Sequence, residues 1–202
     1  SQYYGGVGTN QHSKSTIADP KGTEVNQVYM KISRKDLLYS TLIGGRQRIT
    51  LDDQRFVGNV GWRQNEQTYD AAVLVTSLGV ENLQLIYGFV GNVHQTNLNT
   101  LSARMHAFNG SWAGFKPVKL TGFVYLYDVI DAPAASNMTF GVRGVGSRDL
   151  SDETSIGYQA SYAYQQDYEN QPVSYAAHYF LGDVNVGYKP LATLGVGYEM
   201  LG

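Results

Sequence analysis

From about residue 24 onward, apolar and polar residues alternate with period two along most of the chain. The alternation predicts strands near residues 24–33, 38–49, 68–77, 82–93, 100–109, 117–128, 137–147, 154–165, 173–188 and 191–201. It is cleanest at 155–165, where Ile156, Tyr158, Ala160, Tyr162 and Tyr164 share one face. Residues 192–201 repeat it, with Leu194, Val196, Tyr198 and Met200 opposite Thr193, Gly195, Gly197 and Glu199. Runs of about ten residues are long enough to cross a bilayer at a barrel tilt. Strands of globular proteins are commonly about five or six residues.

The connections carry a second rhythm. Residues 34–36, 78–81, 110–116, 148–153 and 189–190 read as short turns, while 50–67, 94–99, 129–136 and 166–172 are mostly longer. Short and long alternate, as they do when tight turns gather at one end of an up-and-down barrel and loops at the other. The expected fold is all-β: an antiparallel up-and-down transmembrane β-barrel with about ten strands in this chain. One domain is expected over 1–202, with 1–22 a polar loop or partial strand. The competing architecture is a soluble sandwich or closed barrel, whose Greek-key crossings would not keep this beat.

Composition sharpens that choice. Charged residues make up only 16% of the chain, while Gly (23) and Tyr (16) are abundant, a balance that suits an outer-membrane barrel. With no cysteine, disulfides and thiolate metal sites are excluded. A net charge of −2 gives no reason to expect nucleic acid as a partner. No apolar stretch approaches the ~20 residues of a membrane helix. The first residue is Ser1, so a processed form or a piece of a longer protein is expected. None of His12, His94, His106 and His178 sits in a defensible Ser/Asp pattern. No catalytic residue, metal or cofactor is therefore expected, and the chain is not read as an enzyme.

If the apolar faces meet lipid, the opposite faces line an interior. That rule places Lys31, Arg104, Lys119, Tyr125 and Arg143 inside, with Arg46 and Arg48 sharing an inward face against an outward Ile43 and Ile49. An arginine on the lipid side would cost about 2–4 kcal/mol near the midplane. Many acids fall in connections, so a basic interior with acidic loops is expected. The run Gly45–Asp70 concentrates the pattern: Arg46, Arg48, Arg55 and Arg63 stand among Asp52, Asp53, Glu66 and Asp70 as charge partners. Arg63 is expected to pair with Glu66 or Asp70. Tyr69, Tyr87, Tyr164, Tyr175, Tyr188 and Tyr198 read as a headgroup girdle.

Taken whole, that run resembles the signature of the alginate-export family of Gram-negative outer-membrane barrels. Asp19–Gln27, Lys119–Tyr127 and Gly195–Gly202 add matching stretches in the family's order. The resemblance implies a monomeric barrel, alone or within a larger assembly, sitting in lipid of the bacterial outer membrane. It would pass alginate or a related carboxylated solute through a conduit to which Arg46, Arg48, Arg55 and Arg63 belong. Members are usually about twice as long as this chain. Ten strands with inward Tyr and Arg leave little space, since aqueous porins use about sixteen to eighteen. The alternative expectation is thus a closed structural or binding barrel with little or no conductance.

Overall fold

The computed structural model describes residues 22–202; residues 1–21, with most of the expected 1–22 loop and the start of the Asp19–Gln27 stretch, lie outside the described part. The described residues form one ten-stranded antiparallel sheet in simple sequence order. Its strands are β1 (Val28–Arg34), β2 (Ser40–Gln47), β3 (Thr68–Thr76), β4 (Leu83–His94) and β5 (Thr100–Trp112), then β6 (Val118–Val129), β7 (Asn137–Asp149), β8 (Thr154–Asp167), β9 (Ala176–Tyr188) and β10 (Ala192–Leu201). Each pairs only with its chain neighbours, and β1 and β10 are not paired with each other. The sheet is open. Its elements match the expected strands closely, because long period-two runs between turn residues leave few alternatives.

The turns after odd-numbered strands are 35–39, 77–82, 113–117, 150–153 and 189–191. The connections at the other end are 48–67, 95–99, 130–136 and 168–175. Only 95–99 is as short as a turn, and 130–136 carries a single 3₁₀ turn at Pro133–Ala135.

The register sorts the side chains onto two faces. Leu42, Leu74, Phe89, Phe108, Val142 and Val196 share one face and all are exposed. An apolar face left open over so many strands is what a bilayer requires. The other face carries Val73, Val90, Ala107, Phe123, Tyr125 and Tyr179, all buried. What buries them is segment 48–67, whose Ile49, Leu51 and Val57 join the same apolar cluster. We call this covered side the inner face. The sheet curves around the segment, because the segment reaches β5 at Asn109, β7 at Arg143 and β10 at Glu199.

Against β3 the register shifts between Asp70 and Ala71, which leaves Gly91 as an extra residue on β4. Against β5 it shifts again at Val90/Asn92, where β5 carries the extra residue. A bulge of this kind bends a strand and increases its local twist. It also lets both Val90 and Val93 point inward.

β1 and β2 meet at Gly45, whose φ of +125° only glycine adopts without strain. A Cβ there would lie 2.5 Å from the Val28 carbonyl oxygen and 2.9 Å from the Tyr29 Cα. Gly44 next to it has nothing within 4 Å of its would-be Cβ. Gly45→Ala is expected to destabilise the β1–β2 pair by about 1–3 kcal/mol, whereas Gly44→Ala should be near neutral. Urea unfolding of the two variants in lipid vesicles checks this, and equal midpoints would contradict the close approach.

Candidate functional site

The segment joining β2 to β3 is built to lie inside. Its apolar residues are sparse in sequence, yet Leu51, Phe56 and Val57 all point at the wall. The Phe56 ring sits 5.4 Å from that of Phe123 and 5.5 Å from that of Tyr179, edge-on to the latter. Along β6, Phe123, Tyr125 and Tyr127 stack at 5.0 and 6.1 Å, a ladder that period-two geometry creates on one face. Aromatic pairs of this kind contribute about 0.5–1.5 kcal/mol each beyond area burial.

Polar contacts then anchor the segment across the interior. The Asn109 amide donates to Asp52 at 2.7 Å and to the Tyr125 hydroxyl at 3.1 Å. Arg143 donates to Asp53, to Gln159 at 2.7 Å and to Ser161 at 3.4 Å. Arg55 crosses to Glu199 on β10 and lies 5.1 Å over the Tyr179 ring. The Tyr179 hydroxyl donates to the same carboxylate at 3.1 Å. At the base, Arg48 donates to Glu66 at 2.6 Å, and Asn59 donates to it at 2.7 Å. These donors hold the Glu66 carboxyl below its ordinary range, the Arg48 guanidinium being the largest cause.

A second cluster lies at the loop end of β2–β5. Arg46 donates to Asp70 at 2.9 and 3.3 Å and lies 3.7 Å from Glu24. Buried His94 meets Asp70 through Nε2 at 2.9 Å and Thr100 through Nδ1 at 2.8 Å. Beside it, Arg104 pairs with Asp128 at 2.7 Å.

Among known families, the one described as alginate export matches residues 6–198. The chain belongs to the alginate-export family. No curated protein sequence matches it. Its fold resembles solved outer-membrane structures: OccAB2 of Acinetobacter baumannii at 14% identity and a TM-score of 0.64, with 80% of this chain and 45% of that one covered. OccK8 (OprE) of Pseudomonas aeruginosa aligns at 11% identity and TM-score 0.66, over 80% and 47% of the two chains. The outer membrane protein opdK from the same organism gives 15%, 0.63, 80% and 45%. The chain thus spans less than half the length of these structures. Family and fold together place it in the bacterial outer membrane as an antiparallel barrel sheet.

Within this alginate-export chain, the charges expected in one conduit divide between two faces. Lys31, Lys119 and Arg143 lie on the inner face, and Arg55 approaches it from the segment. Several assignments need correction. Gln47, not Arg46, is the buried inward residue at the end of β2, and Arg46 shares the outer face with Leu42 and Gly44. On β5, Ala103, Met105 and Ala107 point inward, so Arg104 and His106 point outward. Ile43 and Ile49 are likewise inward rather than lipid-facing.

The cause is the same each time: the inner segment turns its few apolar residues, Ile49, Leu51, Phe56 and Val57, onto the wall, so the wall beneath it is apolar on the side expected to be polar. Arg46 is tolerable outside because it is the penultimate residue of β2, and the cost of a basic residue falls to about 0–1 kcal/mol near the interface. Arg104 lies farther into β5 but faces Asp128, next to the end of β6, and is paired with it. Arg48 follows Arg46 just past the strand end and is committed to Glu66. Tyr125 is only 1% exposed and so is covered by the segment rather than open to a solute. Tyr69 is buried inside too, donating to the Gly58 carbonyl at 2.7 Å, and leaves the girdle.

The four acids do serve as charge or hydrogen-bond partners, but not all of the expected groups. Glu66 goes to Arg48 and Asp70 to Arg46, while Arg63 lies 4.2 Å over the ring of Trp62. Phe56, Asn109, Tyr179 and Glu199 fasten the segment to the wall and had no charge pattern to mark them. The available signal was the pair Phe56-Val57 inside an otherwise polar run.

Phe56→Ala should release the segment, and limited proteolysis would then cut within 50–66 several-fold faster than in the unaltered chain. A depressed carboxyl pKa stabilises the fold at pH above the unfolded Glu value of about 4.3. That contribution is lost as pH falls through the lower folded value. Trp62 fluorescence is therefore expected to hold steady from neutral pH to about 4.3 and change only below it. Glu66→Gln should abolish that acid transition; its persistence would assign it to another group.

Proposed function

We propose that the chain forms part of an outer-membrane channel that favours anionic solutes, alginate or related carboxylated sugars being the class suggested by its family. The observation that carries this reading is on the inner face. Lys31 and Lys119 point inward and are exposed, and neither makes an ion pair among the described residues. Arg143 and Arg55 stand on the same side but are largely neutralised by Asp53 and Glu199. Fixed cations along a narrow, low-dielectric passage lower the barrier for carboxylates without binding them tightly. One similar structure, OpdK of Pseudomonas aeruginosa, was solved with vanillate, itself a carboxylate. In this reading the protein works as a monomeric barrel in outer-membrane lipid, and no bond-making chemistry is involved.

A second reading has its own support. Segment 48–67 covers much of the inner face, and its Asp53 and Arg55 are paired with the wall. The barrel would then be closed, a structural or binding element with little conductance. Planar-bilayer recording of the whole protein separates the two. A channel should show anion preference, reduced about two-fold or more by Lys31→Ala plus Lys119→Ala and untouched by the outward Arg104→Ala. Cation preference that ignores the lysines would overturn the proposal. A silent bilayer that conducts only after residues 51–58 are removed would favour the closed barrel.

A further inference from the structure

Between segment 48–67 and the wall lies a partly open pocket with a cavity of about 230 Å³. Ile49 and Val57 line it from the segment, and Val73, Val90, Met105 and Ala107 from the sheet. Its lining is mostly carbon. Of the polar side chains at its margin, Gln67 donates to the Tyr69 hydroxyl at 2.6 Å, and Tyr69 to the Gly58 carbonyl at 2.7 Å. Tyr127 points its hydroxyl at the Phe56 carbonyl, 3.5 Å away. That leaves the Gln95 amide as the uncommitted polar side chain at the margin among the described residues. Water needs two to four polar partners to stay in place, and enclosed apolar cavities of about 150 Å³ stay dry and accept small ring molecules. The apolar floor of this pocket offers the same surface.

The cavity also cannot easily collapse. Its roof is pinned at points outside it: Asp52 on Asn109, Asp53 on Arg143, Arg55 on Glu199 and Arg48 on Glu66. A void whose walls are held apart forfeits dispersion contacts that a guest of matching shape restores. We propose that this cavity is a binding site for a small neutral apolar ring, a single aromatic or alicyclic ring with short substituents. The occupant would brace the segment against the wall. The inference stands apart from the channel reading, since it needs only the docked segment.

Gly88 lines the cavity, and a Cβ placed on it would meet Ala107 and Val73 at 3.8 Å, an ordinary contact. Gly88→Leu therefore fills the space from the strand side. Gly122 lies on the outer face with nothing within 4 Å of its would-be Cβ, so Gly122→Leu is the matched control. Toluene serves as the probe, with thermal unfolding of the whole protein in one detergent as the readout. The midpoint should rise by about 2–4 °C in the unaltered chain and in Gly122→Leu, and stay fixed in Gly88→Leu. No shift in the unaltered chain overturns the site. So does an equal shift in all three, which would reflect only partition into the detergent. Should Gly88→Leu fail to fold, xenon-pressurised crystals of the unaltered protein decide: a peak within the cavity supports the site, and an empty cavity overturns it.

Discussion

The contact of Phe56 with Phe123 and Tyr179 sets the terms for the rest of this structure. A strand in a bilayer already has one face dictated by hydrocarbon. By carrying Leu51, Phe56 and Val57 across the opposite face, segment 48–67 makes that side apolar as well. β3, β4 and β5 are consequently apolar on both sides over part of their length. The strand ends, not the strand faces, are where most of their charge can go.

That constraint explains the distribution of the arginines. Arg46 and Arg104 sit outward at the loop end, each on a carboxylate of the next strand, Asp70 and Asp128. Arg55 and Arg143 instead fasten the segment, using Glu199 and Asp53. Four guanidinium groups that look alike in sequence thus do two jobs. Neither pair is a free ladder of positive charge. Among the described residues, the inward strand cations left without acids are two lysines on β1 and β6, both outside the arginine-rich run. Electrostatics and packing are coupled here: releasing the segment would expose both the apolar wall and the paired charges that now cancel.

Strand positions were legible because ten long alternations, punctuated by turn residues, admit one sensible parse. Family membership was legible too, in the Gly45–Asp70 run and three shorter stretches. The faces were less so. On β7 and at the start of β6 the outer and inner sides differ clearly in polarity, and Lys119 and Arg143 lie where alternation put them. On β5 the residues Ala103, Met105 and Ala107 looked lipid-facing, and on β2 so did Ile43. Alternation reports that a residue avoids water; it does not report whether lipid or protein replaces the water. Tyr125 illustrates the other limit, since its inward direction was readable but its cover was not.

The sequence by itself determined the sheet: the number of strands, their order, the short and long ends, and the family. Strand number, order and the two kinds of end follow from local periodicity and turn chemistry, which need no knowledge of distant residues. The family rests on the resemblance of the Gly45–Asp70 run and its companion stretches. Only the tertiary structure decided that residues 48–67 turn inward, and with that which arginines face the interior. The deciding contacts join Asp52 to Asn109, Asp53 to Arg143 and Arg55 to Glu199, the last 144 residues apart. Nothing local in a polar loop encodes such partners. They exist because the curvature of the sheet brings its far strands to where the segment lies.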